Sequence, residues 1–242
     1  MGTDGLDALN KLQVLGSLSA TEDSRIAIAE NMGELLDKSL NETQKNIALE
    51  IIAILVNDEI VSVRAALARK VAASENLPPK IAKKMALDIE AVSLPILKFS
   101  PVLTDEMLQE IIDTGIPGRI AAIARRKHVS MAIANAIVEA GQTHPIALLI
   151  RNPGAEIGEM TFITALELFG RDDEIGQAII SRQALPPSVL QVIRYTVEEH
   201  VMEQLKARFK LPDDVKKAKS SDAVRIKAPE SPFRRVVDKK FY

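Results

Sequence analysis

The chain has 242 residues, 47% of them apolar, with a formal net charge of −2 and no cysteine. That composition is ample for a sizeable core, and the lack of cysteine excludes disulfides, thiolate metal sites and a cysteine nucleophile, which suits a reducing cytoplasm. Trp is absent, and only two Tyr and six Phe are present, so the core must come from Ala, Leu, Ile and Val, which favours closely spaced short helices over a sandwich.

In chain order, helices are expected over residues 6–18, 24–38 and 42–56. The third is the best marked: Asn41 and Gln44 fit a capping box, and Ile47, Ile51 and Leu55 form an apolar stripe with Ala48 and Ile52. The N-terminus, with Asp4 and Asp7, lacks the basic start and apolar run of a secretory signal. Leu6 stands where a myristoylation motif asks for Ser or Thr. The longest apolar stretch, residues 47–56, is broken by Glu50 and is far shorter than the ~20 residues needed to cross a bilayer. A cytoplasmic protein without a membrane span is expected.

From Val63 to Val197 a helix-pair unit recurs about every ~30 residues, a period typical of solenoids. In each copy a short apolar helix ends on a basic residue, and a brief loop opens a second helix. The first helices end Ala65-Ala66-Leu67-Ala68-Arg69, Leu94-Pro95-Ile96-Leu97-Lys98, Ala121-Ala122-Ile123-Ala124-Arg125, Ala147-Leu148-Leu149-Ile150-Arg151 and Ala178-Ile179-Ile180-Ser181-Arg182. The second helices open near Pro79, Thr104, Ser130, Gly158 and Pro187, residues that satisfy or dispense with free N–H groups. Gly115, Gly141 and Gly170 are expected to stop three of them in the left-handed conformation. Helices this short bury an apolar face only by stacking.

After the last repeat the stripe Leu190, Ile193, Val197, Val201, Leu205 continues to about Phe209, which predicts one helix of about 24 residues, roughly 36 Å long, overhanging its neighbours. It would cap the solenoid or pair with a second copy. Leu211-Pro212 ends it, and residues 212–242 read as a flexible basic tail. Residues 206–242 hold twelve Lys/Arg against five Asp/Glu, leaving nineteen against twenty-eight in the body. Within the tail, Phe233, Arg234 and Arg235 are a candidate contact for an acidic surface, either on a partner, a nucleic acid or an anionic lipid, or on the chain's own acidic body with the end folded back on the solenoid.

The expected fold is therefore all-α: a right-handed α-solenoid of short HEAT-like helix pairs, with residues 1–58 as N-terminal capping helices, 59–211 as the repeat domain and 212–242 as the tail. The stretch from Met85 to Asp105, with Leu94-Pro95-Ile96-Leu97-Lys98-Phe99-Ser100-Pro101-Val102-Leu103-Thr104-Asp105 at its heart, resembles the signature of an uncharacterised alphaproteobacterial domain-of-unknown-function family of helical-repeat proteins. Arg125-Arg126-Lys127 followed by Val129-Ser130, the segment 152–155 and the segment 182–187 follow in that family's order. The resemblance covers residues 60–200 and implies a HEAT-like fold in a bacterial cytoplasmic protein. It implies no activity.

The recurrent cation at Arg69, Lys98, Arg125, Arg151 and Arg182 is the leading candidate for binding. Regular stacking would align these side chains as a ladder for phosphates or an acidic peptide. A cation in a last turn also interacts favourably with the helix dipole, by ~0.3–1 kcal/mol, and this structural role is the favoured reading of the ladder, with anion binding second. Arg126, Lys127 and His128 make the point beside Arg125 the most basic of the body. His128, His144 and His200 lack metal-ligand spacing, and Asp172-Asp173-Glu174 reads as acids at a helix N-terminus. The run from Asn152 to Gly158 lacks the spacing and Lys of a phosphate loop and reads as a turn. No catalytic motif, metal site or cofactor site is expected. The expectation is a non-enzymatic interaction scaffold with a protein partner; the long C-terminal helix is expected to cap the solenoid, with a homodimer through it as the second reading. Nucleic-acid binding is the alternative, and an enzyme with a groove active site ranks behind both.

Overall fold

The computed structural model describes residues 21–37 and 40–209, and every regular element among them is a helix. The expected helix over residues 6–18 and the tail over 212–242 lie outside the described residues. In chain order the helices are α1 (Glu22–Asp37), α2 (Glu42–Leu55), α3 (Val61–Val71), α4 (Pro79–Ala86), α5 (Glu90–Phe99), α6 (Asp105–Ile112), α7 (Pro117–Ala124), α8 (Met131–Glu139), α9 (Thr143–Arg151), α10 (Glu159–Phe169), α11 (Asp173–Ser181), α12 (Pro187–Thr196) and α13 (Glu199–Phe209). The odd-numbered helices, termed A, pack each on the next from α1 to α13. Among the even-numbered B helices, α6, α8, α10 and α12 form a second row. This is a solenoid-like helical repeat, and α1 continues it by packing on α3.

Local signals place the helix starts. Asn41 and Gln44 make the expected capping box, with Gln44 N–H donating to Asn41 Oδ1 at 2.9 Å and Asn41 N–H to Gln44 Oε1 at 3.1 Å. Thr104 and Ser130 cap α6 and α8 through their hydroxyls, and Asp172 caps α11 by accepting from the N–H groups of Glu174 and Ile175. Pro79, Pro117 and Pro187 sit in first turns, where a missing N–H costs nothing.

One connected core runs from Ile28 to Leu205, built from Ala, Ile, Leu and Val with Phe162 among its largest members. Small residues let the A helices approach. A Cβ at Gly33 of α1 would stand 2.3 Å from the Lys70 carbonyl oxygen of α3, and one at Gly176 of α11 would stand 2.7 Å from Val201 Cγ2 of α13.

Two expectations are corrected. Gly115 and Gly141 take the left-handed conformation, both at φ 70°, but Gly170 is right-handed at φ −61°. It is needed for space, since a Cβ there would lie 2.4 Å from the Leu166 carbonyl oxygen and 3.0 Å from that of Thr196. The single long C-terminal helix is also absent: α12 stops at Thr196, Val197 is extended at φ −98°, ψ 158°, and α13 begins at Glu199. Thr196 and Val197 are β-branched and poor helix formers. Turning there lets Val201 and Leu205 pack beneath α11 instead of overhanging. The surplus apolar face that suggested a homodimer is thereby buried within the chain.

The N-terminal ends of the A helices are tied by arginines. Arg25 pairs with Asp58 at 2.9 Å, and Arg64 grips Asp88 with Nε at 2.7 Å and one Nη at 3.1 Å. The Arg64 hydrogen bonds hold the Asp88 carboxyl below its ordinary value, burial opposes the shift, and the Ile89 N–H adds to it. A depressed carboxylate contributes stability that is complete above its unfolded value and lost as pH falls through the folded one.

Two outcomes follow. Asp88→Asn should unfold at lower urea than wild type at pH 7, with the gap closing below about pH 4. Gly33→Ala should lose roughly 2–3 kcal/mol, read as a lower urea midpoint at unchanged slope.

Candidate functional site

The A helices after α1, which has sixteen residues, are eight to eleven residues long, so the last four carbonyls, left without intrahelical donors, are a large part of each. Most of the A helices receive a donor from the following repeat. Asn76 Nδ2 donates to Leu36 O of α1 at 2.9 Å. Arg126 donates to Leu97 O and Ser100 O at the end of α5, at 2.6 and 2.8 Å. Asn152 Nδ2 donates to Ala124 O and Arg126 O at the end of α7, both at 2.8 Å. Arg182 reaches Ile150 O of α9 at 2.8 Å, and Arg208 reaches Ser181 O of α11 at 3.4 Å. At the matching place after α5 stands buried Ser100, whose hydroxyl has no partner, and α3 receives no such donor among the described residues.

These contacts place the C-terminal ends of the A helices along one edge. Next to them run the loops that open the B helices. The α7–α8 loop is joined to the α9–α10 loop by a short parallel bridge, with Val129 N–H donating to Gly154 O at 3.1 Å and Glu156 N–H to Val129 O at 2.9 Å. The approach is close enough that a Cβ at Gly154 would lie 2.0 Å from the Lys127 carbonyl oxygen. The run from Asn152 to Gly158 thus does more than turn the chain: it staples two repeats.

Between α5, α6 and the α7–α8 loop this edge opens into a groove of about 440 Å³. Lys98, Phe99, Asp105, Arg126, Lys127 and His128 are among the residues lining it, with Leu103, Leu108 and Ile133 at its base. Lys98 Nζ lies 4.9 Å from the centre of the exposed Phe99 ring, a cation–π contact. Ser130 Oγ donates to Asp105 Oδ2 at 2.5 Å and accepts from Ile133 N–H at 3.3 Å. Its hydrogen is committed to the carboxylate rather than to His128, so Ser130, Asp105 and His128 do not form the nucleophile–base–orienter chain of a hydrolase. Burial pushes the Arg126 guanidinium pKa down while Asp105 opposes the shift; the group stays charged.

The expected ladder therefore divides. Arg69, Lys98 and Arg125 are exposed at the ends of α3, α5 and α7. Arg126 and Arg182 turn inward onto carbonyls, and Arg182 also lies 5.7 Å from the Phe162 ring centre. Arg151 is held by Glu174, donating to Oε1 and to the backbone oxygen at 3.2 Å each. His144 Nδ1 meets the same carboxylate at 2.9 Å, and His200 Nε2 faces Asp173 Oδ1 at 3.5 Å. Sequence reasoning missed Asn76, Asn152 and Arg208. The available signal was a long or amide donor recurring at or near the ends of most A helices: the bonds of Arg126, Asn152, Arg182 and Arg208 reach back 29, 28, 32 and 27 residues, one repeat each. The candidate contact Phe233, Arg234 and Arg235 lies outside the described residues. Among the described residues no helix is long and apolar enough to cross a membrane, and no three His, Asp or Glu side chains gather as metal ligands do.

Stacked short helix pairs, clamped through their carbonyls, define a helical-repeat protein. The chain matches, over residues 92–235, the model of a family described as an uncharacterised protein conserved in bacteria (DUF2336). This covers more than half of the chain, which belongs to that family. The matched region differs from the expected 60–200: it begins within α5 and runs into the basic tail. No curated protein and no solved structure matches the chain.

The division of the cations predicts a division in stability. Arg126→Leu should cost about 1–3 kcal/mol by orphaning two carbonyls, whereas Lys98→Ala and Arg125→Ala should each stay within about 0.5 kcal/mol. Urea unfolding of the three variants checks this.

Proposed function

We propose that the protein is a non-enzymatic interaction scaffold, taking up an acidic segment of a partner protein at the edge formed by the A-helix ends and B-helix starts. The observation that carries the reading is the groove beside Phe99. There an exposed aromatic ring, 55% accessible, shares the groove with the outward cations Lys98 and Lys127, and Met131, 52% accessible, stands at the start of α8. Exposed apolar side chains rimmed by charge are typical of protein-binding surfaces, and methionine adapts to varied partners. The carbonyl clamps support the reading by holding this edge in shape before a partner arrives, which lowers the ordering cost of binding. A cytoplasmic setting, suggested by the absence of cysteine, belongs to the same reading.

The test is affinity capture from native cells at about 0.15 M salt, comparing wild type with the triple variant Lys98→Glu, Phe99→Ser, Lys127→Glu. A protein held by wild type and lost from a variant with an unchanged circular dichroism spectrum is the expected result. Equal retention by both contradicts the proposal. So does recovery of nucleic acid alone with affinity falling steeply in salt, the signature of phosphate contacts.

A further inference from the structure

The opposite edge, where B helices end, has a different character. The A helices α3, α5, α9 and α13 carry Lys or Arg in their last turns, as the negative end of a helix dipole favours. The B helices α6, α8 and α10 carry none there, while α4 carries Lys83 and Lys84 and α12 carries Arg194. Helices α6, α8 and α10 finish instead on the exposed carboxylates Asp113, Glu139 and Glu167, which the dipole disfavours. Burial, and after it the charge of Asp113, raises the Glu139 carboxyl pKa; burial and then Glu167 do the same to the Tyr195 phenol. Among the described residues no cationic nitrogen lies within 4 Å of Glu139 or Glu167.

Between the ends of α10 and α12 this edge opens into a groove of about 430 Å³, lined by Glu167, Leu168, Gly170, Arg171 and Tyr195 among others. Leu168 and Tyr195 are 62% and 60% exposed. An aliphatic and an aromatic surface beside a carboxylate suit a ligand that presents a ring followed by cations. Arg171 is the one cation of the lining.

The chain carries such a ligand in Ser231-Pro232-Phe233-Arg234-Arg235. The family match ends at residue 235 and starts at 92, so it joins this segment to α10 and α12 while leaving out α1 to α4. Arg235 follows the end of α13 by 26 residues, a span of up to roughly 85 Å when extended. The return path along α13, from one edge to the other, is only about 16 Å. Reach is ample, and tethering keeps the local concentration high.

We propose that the α10–α12 groove docks residues 232–235 of the same chain, with Phe233 against Leu168 and Tyr195 and with Arg234 and Arg235 facing Glu167. This contact lies on the edge away from the Phe99 groove and stands independently of the scaffold reading.

The test places the photo-reactive residue benzoylphenylalanine at position 233 of the full chain, irradiates it at low micromolar concentration, and maps the cross-links by mass spectrometry. Intrachain cross-links to α10 and α12 around residues 168 and 195 are expected. Their yield should fall roughly tenfold in the double variant Glu167→Lys, Tyr195→Ala. It should recover in part when Arg234→Glu and Arg235→Glu are combined with Glu167→Lys alone. Circular dichroism confirms that the surface variants fold. Cross-links on another face, links only between chains, no cross-link, or a yield unaffected by the groove variant would each overturn the proposal.

Discussion

The constraint on which the fold depends is the hydrogen-bonding demand of very short helices. In α7, of eight residues, the four carbonyls left over at the C-terminus are half of the helix, and in a packed row they are partly shielded from water. An unsatisfied buried carbonyl costs about 1–3 kcal/mol. The side chains of Asn76, Arg126, Asn152, Arg182 and Arg208 meet the demand from the following repeat. Satisfying one helix thereby fixes the position of the next, and the spacing of the row follows from a local rule applied repeatedly.

The same rule sorts the charges. Cations that reach carbonyls are withdrawn from solvent, as Arg126 and Arg182 are, while neighbours such as Lys98, Arg125 and Lys127 remain outside. The result is an edge whose backbone is rigid and whose exposed charge is positive. At the other edge, arginines 25 and 64 bind Asp58 and Asp88, yet Glu139 and Glu167 remain where a helix dipole disfavours them. Exposed cations on one edge and exposed carboxylates on the other give the two edges opposite electrostatic character.

Much of the fold was legible in sequence because the signals are local. The cap at Asn41, the hydroxyls of Thr104 and Ser130 and the prolines at 79 and 187 each act within one turn. The break at Val197 was not legible: the apolar stripe runs on through Val201 and Leu205, and only the space beneath α11 decides that the helix must turn. Gly170 was misread for a related reason, since its need is room beside the Leu166 and Thr196 carbonyls rather than a left-handed turn. For the candidate site, the repeating cation was visible but its division was not. Arg125 and Arg126 are adjacent and chemically identical, and the phase of the helix end alone determines which points at the carbonyls of α5.

The most direct test of the account is native-state hydrogen exchange resolved across α5, α7, α9 and α11, in wild type and in Asn152→Ala. If inter-repeat capping couples the row, the slowest amides of these four helices share one opening free energy in wild type. In the variant they separate into two groups, one ending at α7 and the other beginning at α9. Four independent opening energies in the wild-type protein, or an unchanged common value in the variant, would contradict it.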